Sequence, residues 1–275
     1  MIERQFPKYK SPPVVEVYLS VQFDRLTALK SAHLGLLWAR WRQRFPHVEE
    51  REPLQPLSEP LGKPRQPSVR FELVADQNRP PQRFWYLAKD RTELIQIQQD
   101  RFIRNWRKVE GSESYPHYDE HIRPAFERDL RDFGEFLAQN ELGDIKITQC
   151  EVAYLNHEQV EHAALSDLLP SLRMDYSDEF LGLPEDVTAT FRYRFGTGDK
   201  ARGRLWVQVN PVHMKDTGLP AVSLNLTAGG YPQNQSIESA LDFMDLGRQW
   251  IVKGFTSITS REMHKKWEMR TALTN

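Results

Sequence analysis

Arginine and tryptophan alternate with apolar residues in two stretches of the chain, and that pairing suits recognition of anions and planar rings. Successive side chains of a strand point to opposite faces. Phe191, Tyr193 and Phe195 therefore share one face, and Arg192 and Arg194 the other. In the next run, Leu205, Val207 and Val209 oppose Arg204, Trp206, Gln208 and Asn210; after it, Leu224 and Leu226 oppose Ser223, Asn225 and Thr227. Nearer the N-terminus, Arg83 and Trp85 share a face, as do Arg101, Ile103 and Asn105. The opposite side of that last run is less regular, with Gln96, Gln98, Asp100, Phe102, Arg104 and Trp106. The candidate contact residues are Trp85, Arg101, Arg192, Arg194, Arg204, Trp206 and Asn210. Such a face suits a protein partner or a small anionic or planar ligand, with a nucleotide or nucleic acid as the alternative. A solvated antiparallel sheet carrying arginine for solubility accounts for the same pattern.

Other arrangements fail as chemistry. His157-Glu158-Gln159-Val160-Glu161-His162 has the look of a zincin motif, but its histidines are five apart. On a helix that is about 500° of rotation, or roughly 140° off a shared face. A solvated helix start is the plainer reading. Gly229-Gly230 lacks the lysine and spacing of a phosphate loop and is expected to serve the turn out of the last strand. Cys150 sits in an apolar run with no adjacent histidine and reads as a small core hydrophobe. No nucleophile elbow occurs. No catalytic residue, metal or cofactor is expected.

The 275 residues include 37 Lys+Arg and 38 Asp+Glu, for a net charge of −1. That balance argues against a protein built mainly to coat nucleic acid or an anionic membrane. It hides a segregation. Residues 65–108 hold 10 Lys/Arg against 5 Asp/Glu and residues 190–215 hold 6 against 1, whereas residues 119–144 hold 3 against 8 and residues 158–186 hold 1 against 8. The strands are basic and the helices acidic. A single cysteine excludes an intramolecular disulfide and a multi-cysteine zinc site. The first residues, Met1 to Pro13, carry no apolar signal region, and no run is long enough to span a bilayer; a cytoplasmic protein is expected.

The elements that position the candidates follow from periodicity. Val14–Phe23 reads as a strand after Pro12-Pro13, and a helix is expected from about Thr27 to Phe45 on Leu34, Leu37, Trp38 and Trp41. Residues 47–67, acidic and then proline-rich, read as an irregular connector. Strands are expected near Ser68–Val74, Arg83–Lys89 and Glu93–Arg107, then a helix over about Tyr118–Asn140 with the stripe Ile122, Phe126, Leu130, Phe133, Leu137. The second half repeats the order: a strand at Lys146–Leu155, a shorter helical segment within His157–Arg173, an acidic loop, strands near Thr188–Phe195, Gly203–His213 and Ala221–Ala228, and a helix over about Ile237–Trp267 with a break expected near Gly254. Glu16-Val17-Tyr18-Leu19 and Glu151-Val152-Ala153-Tyr154-Leu155 are weakly similar.

The fold class is therefore α+β: a duplicated β-α-β-β-β-α unit, residues 1–144 and 145–275, forming one curved antiparallel sheet with long helices on one face and possible continuity as one domain. By analogy this is a helix-grip or TATA-binding-protein-like architecture. Gln99–Lys108, Tyr115–Tyr118, Thr148–His157, Pro12–Glu16 and the closing helix with His264 and Trp267 resemble the landmarks of a sporadically distributed family of uncharacterised bacterial proteins. The resemblance covers nearly the whole chain. It implies no reaction or site residues, and the patchy distribution implies an accessory role such as defence or toxin immunity. The expected function is non-catalytic binding of a protein partner or ligand through the basic, aromatic sheet face, with an enzyme lacking a recognisable motif as a further alternative. Trp250 and Trp267 on the final helix would serve either a homodimer or the core.

Overall fold

The computed structural model describes residues 6–55, 83–160, 165–170, 180, 186–196, 201–214 and 217–270. In chain order the elements are β1 (Lys8–Tyr9), β2 (Val14–Phe23), α1 (Ser31–Trp41), β3 (His47–Arg51), β4 (Arg83–Leu87), β5 (Glu93–Gln98), β6 (Arg101–Arg107), a π-helical turn (Tyr118–Ile122) running into α2 (Arg123–Gln139), β7 (Ile147–Glu158), α3 (Leu165–Leu168), β8 (Ala189–Phe195), β9 (Gly203–His213), β10 (Pro220–Gly230), α4 (Ile237–Ile258), α5 (Arg261–Lys266) and β11 (Met269–Arg270). Nine strands form one antiparallel sheet in the order β3-β4-β5-β6-β2-β7-β10-β9-β8. Strands β1 and β11 pair separately. The architecture is α+β, as expected from the sequence.

Alternation decides which face is covered. Val17, Leu19 and Val21 of β2, Val152 of β7, Leu224, Leu226 and Ala228 of β10, and Leu205, Val207 and Val209 of β9 all point to the helices and are buried. Helix α2 lays Phe126 and Phe133 on Phe102, with ring centroids 5.7 and 5.8 Å apart. Helix α1 is fixed to β4 by Trp41 against Tyr86 (5.6 Å) and by the Tyr86 hydroxyl donating to the Leu34 carbonyl (2.9 Å). Helix α4 covers β7, β9 and β10.

Glu93–Arg107 is two strands, not one: Gln98 pairs with Arg101, so the chain reverses at Gln99-Asp100. A two-residue turn puts Gln96 on the same face as Ile103 and Asn105, which removes the irregularity seen in the sequence. The turn is set from outside: the Gln99 carbonyl accepts from Leu26 N–H, the Asp100 carbonyl accepts from Phe23 N–H, and Gln99 Nε2 donates to the Leu29 carbonyl. Next, helix α4 runs unbroken through Gly254. A Cβ there would stand 2.7 Å from Leu205 Cδ2, so this glycine lets the helix approach the sheet. The break falls at Thr259-Ser260, where Ser260 Oγ accepts from Met263 N–H and caps α5. Finally, the connector begins with a real strand, β3 (His-Val-Glu-Glu-Arg), which pairs with β4 and is the outermost strand among the described residues.

Strand β7 continues to Glu158, so His157 is a strand residue rather than a helix start. The expected strand Ser68–Val74 and His162 lie outside the described residues. Trp267 is buried against Phe255 (4.9 Å) and Trp250 packs on Phe195 (5.1 Å), so both rings serve intramolecular packing. Among the described residues no helix is long and apolar enough to cross a membrane.

Candidate functional site

The sheet face turned away from the helices carries a cavity of about 570 Å³. Cross-strand register builds it in rows. One row runs Asn105, Tyr18, Ala153, Thr227, Trp206, Arg192 across β6, β2, β7, β10, β9 and β8. Its neighbour runs Trp85, Gln96, Ile103, Ser20, Glu151, Gly229, Arg204, Arg194 from β4 to β8. Strands from both halves of the chain thus contribute to one concavity.

Of the residues chosen from the sequence, Arg101, Arg192 and Trp206 line this cavity. Arg204 and Arg194 share its face one row away, and Asn210 lies two rows beyond Trp206 on the other side, paired with Ser223. Trp85 sits beside the cavity under a group of guanidinium ions: the Arg51, Arg83 and Arg107 carbons lie 4.7, 5.5 and 5.8 Å from its ring centroid.

Glu16, Tyr18 and Glu151, which are not among the candidates from the sequence, also line the cavity. Their signal was present. Glu16, Tyr18 and Ser20 alternate with Val17, Leu19 and Val21, the same pattern that was read on the later strands. The Tyr18 hydroxyl donates to Glu151 Oε1 at 2.5 Å. Burial raises its phenol well above the ordinary range, and the Glu151 carboxylate adds to that.

A hydrogen-bonded chain crosses four strands on the other side. Arg83 Nη1 donates to Gln96 Oε1 (2.8 Å), Gln96 Nε2 to Asn105 Oδ1 (2.8 Å), and Asn105 Nδ2 to Glu16 Oε1 (2.6 Å). Arginine only donates and a carboxylate only accepts, so the two ends fix the orientation of both amides. Burial raises the Glu16 carboxyl, with Asn105 and Arg107 offsetting part of the rise.

Positive charge is crowded here. Burial, then Arg101 and Arg51, lowers the Arg83 guanidinium from its ordinary value. Burial also lowers that of Arg101, against the opposing pull of Asp100 and Glu151. Arg101 Nη2 donates to Gln22 Oε1 (2.8 Å) and to the Gln55 carbonyl (2.9 Å). Among the described residues, buried Arg83 Nε, Trp85 Nε1 and Arg101 Nε have no acceptor. Leaving such a donor unpaired costs about 1–3 kcal/mol, so these three donors are short of acceptors.

Gly229 and Gly230 are strand residues, paired with Glu151 and Cys150 on one side and with Arg204 and Gly203 on the other, which corrects their assignment to a turn. A Cβ at Gly229 would stand 2.8 Å from Trp206 Cζ3, so the missing side chain gives the indole its bed. Cys150 is buried, and burial holds its thiol far above the ordinary range. Among the described residues no group of three or more His, Cys, Asp or Glu could hold a metal ion.

The chain matches no family model, and neither a curated protein nor a solved structure matches it.

Proposed function

We propose that this is a non-catalytic binding protein that captures a small, planar, anionic molecule in the sheet cavity. The observation that carries the reading is the set of buried, acceptor-less donors on Arg83, Arg101 and Trp85 beside a cavity lined by Trp206. An anion supplies the missing acceptors, and a planar body stacks on an indole. The volume of about 570 Å³ suits a mononucleotide-sized ligand better than the flat patch of a standard protein interface. Glu16 and Glu151 would accept from donors on the same ligand.

The same reading includes an origin for the site as two copies of one β-α-β-β-β-α unit in a TATA-binding-protein-like arrangement. Strand order supports it: outward from the centre the sheet runs β2-β6-β5-β4 on one side and β7-β10-β9-β8 on the other.

Calorimetric titration of nucleoside monophosphates and aromatic carboxylates tests the function. Nucleoside monophosphates are expected to bind, the neutral nucleosides to bind about tenfold more weakly or worse, and the R83Q/R101Q variant to lose the difference. Failure of every anion to bind, or equal binding to the variant, overturns the reading. A second reading, catalysis, draws on one observation: Glu16, held up by burial, shares the cavity with the Tyr18–Glu151 pair. Chemical change of a bound ligand that stops in Glu16→Gln would favour it.

A further inference from the structure

A second cavity, of about 330 Å³, opens on the helix side of the sheet. Its walls are the 7–12 segment, β7 at Tyr154 and Asn156, α4 from Arg248 to Phe255, and the residues leading into the π-helical turn. The floor is apolar: Val14, Ile251 and Phe255 are buried, and Val252 and Tyr9 line it beside them. The polar end is one cluster. The Tyr115 and Tyr154 hydroxyls are 2.9 Å apart, Arg248 lies beside Tyr154, and Arg248 Nη2 lies 3.0 Å from Asp119 Oδ2.

Counting protons in this cluster gives the inference. Two hydroxyls carry two protons, and one fills the bond between them. Arginine cannot accept the other. Among the described residues, buried Arg248 Nε also has no acceptor. The cluster therefore presents two surplus donors, one O–H and one guanidinium N–H, beside an apolar pocket. The backbone there is constrained too. His117 holds φ 62° and ψ 147°, a conformation almost confined to glycine. It is locked because the His117 carbonyl accepts from both His121 and Ile122 N–H at 3.2 Å.

We infer that this cavity is a second, independent binding site for a small monocarboxylate with an apolar body. The carboxylate accepts from Arg248 Nε and the spare tyrosine proton, and the body lies on Ile251, Val252 and Phe255. Lys8, Lys10 and Arg270 at the wall favour the same charge and outnumber Asp119 and Glu120, which oppose it.

Phenylacetate is the probe and phenylacetamide, of the same shape without charge, its control, both titrated by calorimetry into the full chain. Phenylacetate is expected to bind with a dissociation constant on the order of 1 mM, and the amide about tenfold more weakly or not at all. Arg248→Met and the cavity-filling Val252→Trp should each weaken phenylacetate about tenfold or more. Circular dichroism checks that each variant is folded, and either one alone suffices. Tyr115→Phe frees the Tyr154 proton and should bind within about threefold of wild type, whereas Y115F/Y154F should lose binding. The R83Q/R101Q variant should bind phenylacetate as wild type does, which separates this site from the sheet cavity. Equal binding of acid and amide, wild-type binding by folded Arg248→Met and Val252→Trp, or absence of phenylacetate binding overturns the proposal.

Discussion

Two arginines three residues apart on β6 are almost equally buried and live in opposite electrostatic worlds. Arg104, 3 % exposed, faces the helices; Arg101, 4 % exposed, faces the cavity. Arg104 Nε donates to Asp129 Oδ2 (2.8 Å) and Nη2 to Glu93 Oε2 (2.7 Å). Asp129, fully buried, also accepts from Arg44 (2.6 Å) and Arg128 (2.9 Å). That network is closed, with charge meeting charge under α2. Among the described residues Arg101 has only neutral side-chain and backbone oxygens as hydrogen-bond acceptors, and its Nε has none. A buried cation with its counter-ions in place holds the fold, and one whose donors lack acceptors invites a ligand.

The sharpest break would come at Asp129. Asp129→Ala leaves three guanidinium ions facing an uncharged methyl and should cost about 3–5 kcal/mol in urea unfolding. A loss below about 1 kcal/mol would show that the helix-side network is not structural. Gly229→Ala, on the cavity side, must move either the Trp206 indole or the backbone, and should cost about 1–3 kcal/mol while weakening binding of the nucleoside monophosphate probe at the proposed site.

Acid titration separates the two faces by sign. Burial alone would raise the Asp129 carboxyl, but Arg128, Arg104 and Arg44 outweigh it and hold it below the ordinary carboxylate range. Its contribution is therefore present above the unfolded value of about 3.9 and is lost as pH falls through the folded one. Glu16 is shifted the other way, so its contribution is present below the unfolded value of about 4.3 and is lost as pH rises through the folded one. Glu16→Gln should then raise the urea midpoint at pH 7, with the gain gone below about pH 4, whereas Asp129→Asn should lower it and converge on wild type in acid. Midpoints that move in the same direction at pH 7 would undo the contrast.

Arg101→Met should change stability by no more than about 1 kcal/mol and, if the proposed site is real, weaken the nucleoside monophosphate probe about tenfold. The smallest effect is expected at Arg194, exposed on β8 and outside the cavity lining. Arg194→Gln should stay within about 0.5 kcal/mol in stability and leave affinity unchanged. A large loss of affinity there would extend the site to the sheet edge.

Alternation made the second half readable. Strands β8, β9 and β10 are clean two-residue repeats, and Arg192 and Trp206 fall where that repeat puts them. In the first half the reversal at Gln99-Asp100 carries no glycine, and neither residue has a positive φ, so the usual hairpin signal is missing. The turn is held by hydrogen bonds to residues 23–29, a tertiary cause that local sequence does not display. Arg104 and Asp129 were legible as charges but not as a pair, because pairing depends on how α2 docks on β6. Glu16 and Glu151 were legible as strand residues; their meeting across Tyr18 depends on β2 lying beside β7.

That adjacency also bears on how the chain is made. Strand β2 bonds β6 on one flank and β7 on the other, and β7 starts only at Ile147. A ribosome delivers the middle of the sheet early and its second neighbour long afterwards. Until β7 emerges, one rim of β2 has only water to satisfy its backbone groups, beside Val17, Leu19 and Val21. Nascent chains halted before β7 has left the ribosome should therefore stick to holding chaperones, and release should coincide with emergence of the segment ending at Glu158.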